Sequence, residues 1–593
     1  STTVSATGMA ARTSYTDYDI KFRLPVRSKN ALGHKSARTF NYALGVPLSD
    51  SLPNGLQTIY AYDEFGRLKS TTVPQGYTIT QSLNWPRTGN PAGTIFSSTT
   101  TTPGKPTVKT YYDILGRALR SEQNGFLNQK LTADFNYVPA SPYGKAGLLT
   151  SQTYPYYTNE TPETVSYKYD AYGRVTETND RGMATLTAYS EKTVTTTDPS
   201  GQVTTKTLDA MGNLVKATDN GGNVVYQYHS SGQPKSISAV GATTTITYDA
   251  YGRQITLTDP DAGTTRYTYN AFGELASQTN ANNYRDTIYY DILGRVTQKT
   301  LGTDVTTYVY NTSGPALGQL ASVTGANATK QEYAYDSYGR MNAFTQTIPG
   351  QNTKFTTSYV YDIYNNITQI TYPETGFVVK NIYENGTLVR VNKADGTLIW
   401  QVTDISSHGL PKVTQAGNSL YTAITYDMDQ PASINTTGVQ SETYTINHPN
   451  IGNLASRTDN LTEQSESFSY DNLDRLGRIL GYPIQNTTYA ANGNIASKMG
   501  GGTYSYQHPT KVHAVTTVAK TAGTTSQPLQ NISYTEFNKA DTITQKTTVT
   551  QQTLTYAITY GPDQQRVKTI YTDTSGYKTL RYYSGSYEKD SMV

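Results

Sequence analysis

Short bursts of period-two alternation run through this chain, each cut by a turn signal and followed by another burst. In the stretch Val165-Ser166-Tyr167-Lys168-Tyr169, the rings of Tyr167 and Tyr169 fall on one face of an extended strand, with Ser166 and Lys168 on the other. Asp170 then opens a tight turn. Its carboxylate can bond the backbone two residues on, and Gly173 accepts the left-handed conformation that closes a type I turn into a bulged hairpin. A second strand is predicted from Arg174 through RVTETND, until Gly, Asn or Pro returns the chain, as in ETNDRG, TDPSGQ from Thr197 and LTDPDAG from Leu257. One unit reads as one hairpin of about 21 residues.

The unit recurs nearly end to end. The pattern Tyr-x-Tyr-Asp-x-(aromatic or Leu)-Gly-Arg-(apolar) places repeat-turn residues at Tyr62, Asp63, Gly66 and Arg67; at Tyr112, Asp113, Gly116 and Arg117; and at Tyr169, Asp170, Gly173 and Arg174. It returns at Tyr248, Asp249, Gly252 and Arg253; at Tyr290, Asp291, Gly294 and Arg295; and at Tyr335, Asp336, Gly339 and Arg340. Weaker copies surround Asp209, Asp362, Asp427, Asp471, Asn492 and Phe537. A lone hairpin is marginal in water, so side-by-side stacking is what stabilises each one. The predicted fold is therefore all-β: tandem hairpins in one long antiparallel sheet. At a uniform spacing the chain would hold roughly 28 hairpins, more than a flat sheet tolerates, and the sheet should curl into a spiral or hollow shell. Residues 1–57 carry the repeat only faintly and are expected to form a cap or atypical hairpins, with the repeat shell spanning 58–593.

Composition narrows the picture. The 593 residues include 52 Tyr and 48 Gly with only 16% charged residues, a mix that favours strands and turns and excludes a mostly helical protein. An aromatic content of 11% argues against disorder, because these side chains can offset ordering entropy. A net charge of +3 without basic runs makes nucleic acid a poor partner. No stretch approaches the roughly 18 apolar residues of a membrane helix, and no export signal is visible in the chain. The absence of Cys excludes disulfides, thiolate metal sites and Cys nucleophiles.

Candidate chemistry is weighed against this repeat. The motif aspartates could suggest the paired carboxylates of glycoside hydrolysis, but an active site is normally single and these acids recur with every hairpin. Turn formation, or a pair with the motif arginine, is the better account. Asp198-Pro199-Ser200-Gly201 lies inside the repeat rhythm and reads as a turn. His508 and His513 are the only close histidine pair, and their five-residue gap fits neither a helical nor a strand metal pair. The sequons at Asn311 and Asn385 arise readily in a chain this rich in Asn and Thr. No catalytic, cofactor-binding or metal-binding residue is assigned, and no enzyme activity is expected.

The unit Tyr169-Asp170-Ala171-Tyr172-Gly173-Arg174 and its copies resemble the YD repeat of bacterial Rhs proteins, shared with the B and C components of insecticidal Tc toxins and with teneurins. The segments beginning at His508, Ser533, Ile558 and Leu580 are also similar to stretches near the end of such repeat regions. The resemblance implies hairpins spiralling into a hollow shell that sequesters a toxin polypeptide. The partner would be a toxin cargo or the remainder of a larger Rhs chain, and the location secreted or at the cell surface. The family's C-terminal plug, with its aspartyl self-cleavage pattern, and a toxin domain are not found before Val593, so a shell portion is expected. A second reading from the same resemblance is a teneurin-like adhesin whose Tyr-rich faces bind glycans or another cell.

Overall fold

The computed structural model describes residues 1–85, 87–139, 147–325, 327–350, 354–447, 452–481, 484–507, 511–519, 530–546 and 552–592. Among them are 54 β-strands, most of five to eight residues, and one short 3-10 turn at Phe126–Asn128. Strands this short follow directly from a turn signal every ten or eleven residues.

Nearly every strand pairs antiparallel with its successor, so the chain forms a ribbon of hairpins; the exceptions are Tyr156–Tyr157, which pairs back with Lys130–Tyr137 while Leu149–Thr153 pairs with Thr164–Tyr169, and the break between Thr517–Ala519 and Gln530–Tyr534. Forty-eight strands join in one sheet and the last six, Gln530–Tyr534 to Tyr587–Met592, in a second. The unit that begins at Thr164–Tyr169 shows the pattern: Tyr167 faces Thr178, Lys168 faces Glu177, and the register shifts at Tyr169, which faces Val175. That shift is the bulge demanded by the turn glycine, and it recurs at Tyr62, Tyr112, Tyr248, Tyr290 and Tyr335. The second strand starts at Val175 rather than Arg174, because the arginine is drawn into the turn by its aspartate. Residues 1–57 hold five strands that pair in succession and pass without interruption into Gln57–Tyr62.

The ribbon winds on itself. Arg181, after the sixteenth strand, meets Asp429, after the thirty-ninth, across a separation of 248 residues. Asn220 reaches Asn472 across 252 residues and Asn282 reaches Asn538 across 256. One revolution thus takes 23 or so strands, and at about 4.8 Å per strand the wall closes on a diameter of about 35 Å. This is a hollow spiral shell of somewhat more than two revolutions.

Little of the chain is fully buried, as a single curved sheet dictates. One face of each hairpin carries the half-buried tyrosines, while the alternate positions are exposed. Two buried apolar clusters among the described residues lie where revolutions meet: Ile348 and Phe355 pack on Val567 and Tyr582, and Val389, Val402 and Ile405 are joined by Phe126 and Trp400. The core of this molecule is therefore a seam between turns of the spiral rather than the space between two sheets.

Candidate functional site

The motif residues converge on a self-contained turn. At Asp170, one carboxylate oxygen accepts the backbone N–H of Tyr172 at 2.8 Å and of Arg174 at 3.0 Å, while the other accepts Nε of Arg174 at 2.6 Å. Gly173, at φ +79°, donates its N–H back to the Asp170 carbonyl. Asp63 with Arg67, Asp113 with Arg117, Asp249 with Arg253, Asp291 with Arg295 and Asp336 with Arg340 repeat the arrangement, with Nε to carboxylate distances of 2.6 to 2.7 Å. Gly66, Gly116, Gly252, Gly294 and Gly339 all sit at positive φ. At Asp209 and Asp362 an asparagine stands where the arginine would be: Asn213 and Asn366 each donate Nδ2 to their turn aspartate at 2.9 Å.

These contacts hold the carboxyls of all six strong units below the ordinary aspartate range. At Asp63 the backbone N–H of Arg67 is the largest influence. At Asp113, Asp170, Asp249, Asp291 and Asp336 burial is the largest and acts upward, but the arginine's backbone N–H, its guanidinium and the second backbone donor together outweigh it. The aspartates are thus saturated with donors, the opposite of a poised acid or base.

The same arginine ties one hairpin to the next. Its guanidinium lies over the second tyrosine of the following unit, Arg174 over Tyr189 at 4.3 Å, Arg295 over Tyr310 at 4.2 Å and Arg340 over Tyr361 at 4.6 Å. Tyr310 and Tyr361 also donate their hydroxyls to the carbonyl that opens the preceding unit's second strand, Val296 at 2.9 Å and Met341 at 2.7 Å, and Tyr290, Tyr335 and Tyr169 make the same bond to Leu275 at 2.9 Å and to Leu320 and Leu149 at 2.7 Å. Burial pushes these hydroxyls up from the ordinary tyrosine range. At Tyr269, Tyr310 and Tyr361 both the ring and the hydroxyl are engaged inside the wall, which leaves these rings little free face for a sugar.

A second set of residues, invisible in the motif, closes the seam. Amide side chains in or just beyond the return turns of one revolution reach the turns of the next: Gln202 Nε2 to Asp474 at 2.6 Å, Asn220 Nδ2 to the Asn472 carbonyl at 3.1 Å, Asn327 Nδ2 to the Tyr560 carbonyl at 2.8 Å and, from the strand Lys330–Tyr335, Gln331 Nε2 to Asp563 at 3.0 Å. Arg12 joins Glu274 at 2.7 Å while lying over Phe272, and Lys589 joins Glu374 at 2.6 Å. Glycines seat the tips of the opposing turns. A Cβ on Gly104 would lie 2.5 Å from the Tyr364 ring, one on Gly221 3.1 Å from Leu473, and one on Gly302 2.5 Å from the Glu536 carboxylate. The only sequence signal for these partners is an Asn, Gln or Gly in a return turn, and loops favour such residues for local reasons anyway.

The remaining candidates take structural places. Asp198 forms a turn of the same kind, accepting Ser200 N–H at 2.9 Å and Gln202 N–H at 2.8 Å. His513 bonds Asp261 across the seam at 2.5 Å, whereas His508 lies outside the described residues. Asp429 holds Arg181 and the His408 imidazole together. A cavity of about 540 Å³ opens on the seam between Asp286, Lys299 and Tyr308 on one side and Phe537, Tyr560 and Asp563 on the other. Burial there holds the Asp286 carboxyl above its usual range against the pull of Lys299. Among the described residues no cluster of three or more His, Asp or Glu could hold a metal ion, and no helix is long and apolar enough to cross a membrane.

Comparison with known proteins agrees with this geometry. The RHS repeat family model matches residues 47–78, 192–224, 228–264 and 248–285. No curated protein matches the chain. Among solved structures, the crystal structure of TcdB2-TccC3-TEV superposes with a TM-score of 0.81 at 13% identity, covering 98% of this chain and 40% of that one. The Photorhabdus luminescens Tc holotoxin pore carrying TccC3-D651A gives 0.80 at 12% identity, covering 98% and 39%. The crystal structure of TcdB2-TccC3 gives 0.80 at 14%, covering 98% and 38%. The chain therefore spans about two fifths of the length of the solved chains it matches, and at these identities the likeness is one of fold.

Proposed function

From a chain that carries RHS repeats and winds into the shell fold of the TcdB2-TccC3 structures, we propose that this protein is the wall, or a portion of the wall, of a toxin-encapsulating shell. The observation that carries this reading is the seam. A ribbon that merely presented a surface would have no need to bond its return turns to the Asp-Gly turns one revolution later, whereas a container needs a wall without gaps. Amides, ion pairs and glycine seats supply that closure at separations of 213 to 290 residues. The enclosed partner is a toxin polypeptide, and the mechanism is physical: cargo held behind a continuous sheet reaches neither its target nor a protease until the wall opens. A closed sheet also leaves few strand edges to pair with other chains. The protein in this role performs no catalysis and acts outside the producing cell.

The test is protease protection of a toxin polypeptide expressed together with the chain. Survival of the cargo at a trypsin level that digests the same polypeptide alone supports enclosure, and equal digestion contradicts it. The glycan-binding alternative gains no support from strand tyrosines such as Tyr310 and Tyr361, whose rings and hydroxyls are engaged within the sheet.

A further inference from the structure

The chain holds five Asn-Gly steps, at Asn54, Asn124, Asn220, Asn385 and Asn492. Such a step is open to intramolecular attack on the asparagine amide, because glycine has no side chain to obstruct the ring that forms. Asn220-Gly221 sits where the seam depends on it. The exposed Asn220 amide, in the return turn between Leu214–Asp219 and Gly222–Tyr228, donates to the Asn472 carbonyl of the next revolution at 3.1 Å. Gly221 makes room for Leu473, which would lie 3.1 Å from a Cβ there. The Gly221 N–H is held by the Asp219 carboxylate at 2.8 Å. At three other steps the glycine N–H is bound to a backbone carbonyl, which takes no proton: Gly55 to Leu52 at 3.0 Å, Gly125 to Gln129 at 2.7 Å and Gly493 to Ala490 at 3.0 Å.

We propose that Asn220 is a self-modification site, at which the Asp219 carboxylate promotes conversion of the side-chain amide to a carboxylate and so unfastens this stretch of the seam. The Gly221 nitrogen bonds to Asn220 Cγ as its proton passes to Asp219; the Cγ–Nδ2 bond then breaks, and Nδ2 leaves as ammonia with that proton. Water, the one co-reactant, opens the resulting imide ring to aspartate or isoaspartate. Neither product can hold the seam. A donor facing the Asn472 carbonyl becomes an acceptor, so the bond is lost. The new negative charge also enters a cavity of about 520 Å³ that Asp471 and Asp474 line, where the Arg475 guanidinium is already bonded to Asp471 at 2.8 Å. Like charges gathered there repel, most strongly at low salt. The inference rests on the seam and not on the identity of any cargo.

Peptide mass mapping of the whole chain during incubation at neutral pH tests it. Asn220 is expected to turn to acid faster than Asn54, Asn124 and Asn492. The variant Asp219→Asn keeps an oxygen that accepts the Gly221 N–H but takes no proton, and it should slow conversion at Asn220 by at least about 10-fold while the other steps keep their rates. Circular dichroism checks that the variant keeps the fold. An Asp219 that only holds the turn would leave the rate unchanged, and that result overturns the proposal, as does an Asn220 that reacts no faster than the other three. The variant Asn220→Asp reads the consequence. Small-angle scattering should show it swollen at low salt and restored at high salt, and a radius of gyration equal to the wild type's at every salt level overturns the unfastening. Failure here leaves the cargo-protection result untouched, and the reverse also holds.

Discussion

The aspartate of each repeat turn accepts two backbone N–H groups and a guanidinium, and this local saturation sets the molecule's response to acid. A carboxyl held below its unfolded value contributes stability that is complete above the unfolded pKa of about 4 and is lost as pH falls through the folded value. The six strong units share that sign. The motif tyrosines run the other way: their raised hydroxyls contribute below the unfolded value of about 10 and lose it as pH rises through the folded one. Melting temperature should therefore hold a plateau between these limits and fall on both sides, with the acid fall shallower in Asp170→Asn/Asp249→Asn. An acid limb of unchanged slope in that variant would remove the turn carboxyls as its cause. Asp336→Ala strips the partly buried turn of its acceptor and should cost about 1–2 kcal/mol. Faster hydrogen exchange at the Tyr338 and Arg340 amides is the readout. The Asp, Gly and Arg of this turn were legible in the sequence because each does local work at a fixed offset. The arginine's stacking on the next unit's tyrosine was not, since its partner lies 15 to 21 residues away and the sequence carries many tyrosines.

At the scale of the hairpin, the ribbon was readable because both periods, two within a strand and about 21 between units, are written in the order of residues. The glycines were not equally readable. Gly104 and Gly212 both occupy positive φ, yet only Gly104 lies under a ring from another revolution, whereas Gly212 has open space around its missing side chain. Gly212→Ala should cost only the left-handed strain of about 1–2 kcal/mol. Gly104→Ala carries the same strain plus overpacking against Tyr364, about 1–3 kcal/mol more. Equilibrium denaturation of the two variants in parallel measures the difference, and equal losses would mean that Tyr364 is not seated on Gly104. Return turns look alike as sequence, and which of them meets another revolution depends on how many strands complete a circle.

At the scale of the whole molecule, hairpin number and sheet twist predict curling, but the number of strands per revolution is set by the sum of small twists and bulges that no single unit reveals. The seam supplies it, and with it the location of the core. The apolar clusters around Phe355 and around Val402 combine residues from different revolutions, so neither could be found by scanning any one segment for hydrophobic runs. Gln202→Ala/Asn220→Ala removes two amide links from one stretch of seam and should leave the hairpins intact while loosening the spiral. Unchanged circular dichroism with a larger radius of gyration in small-angle scattering is the expected result. The central claim, a closed hollow wall, is tested most directly by cryo-electron microscopy of the chain alone at a resolution that separates strands. A continuous wall about 35 Å in diameter around an empty interior is expected, with about 23 strands per revolution and successive revolutions touching turn to turn. An open ribbon, a flat sheet or a body filled by a compact core would contradict it.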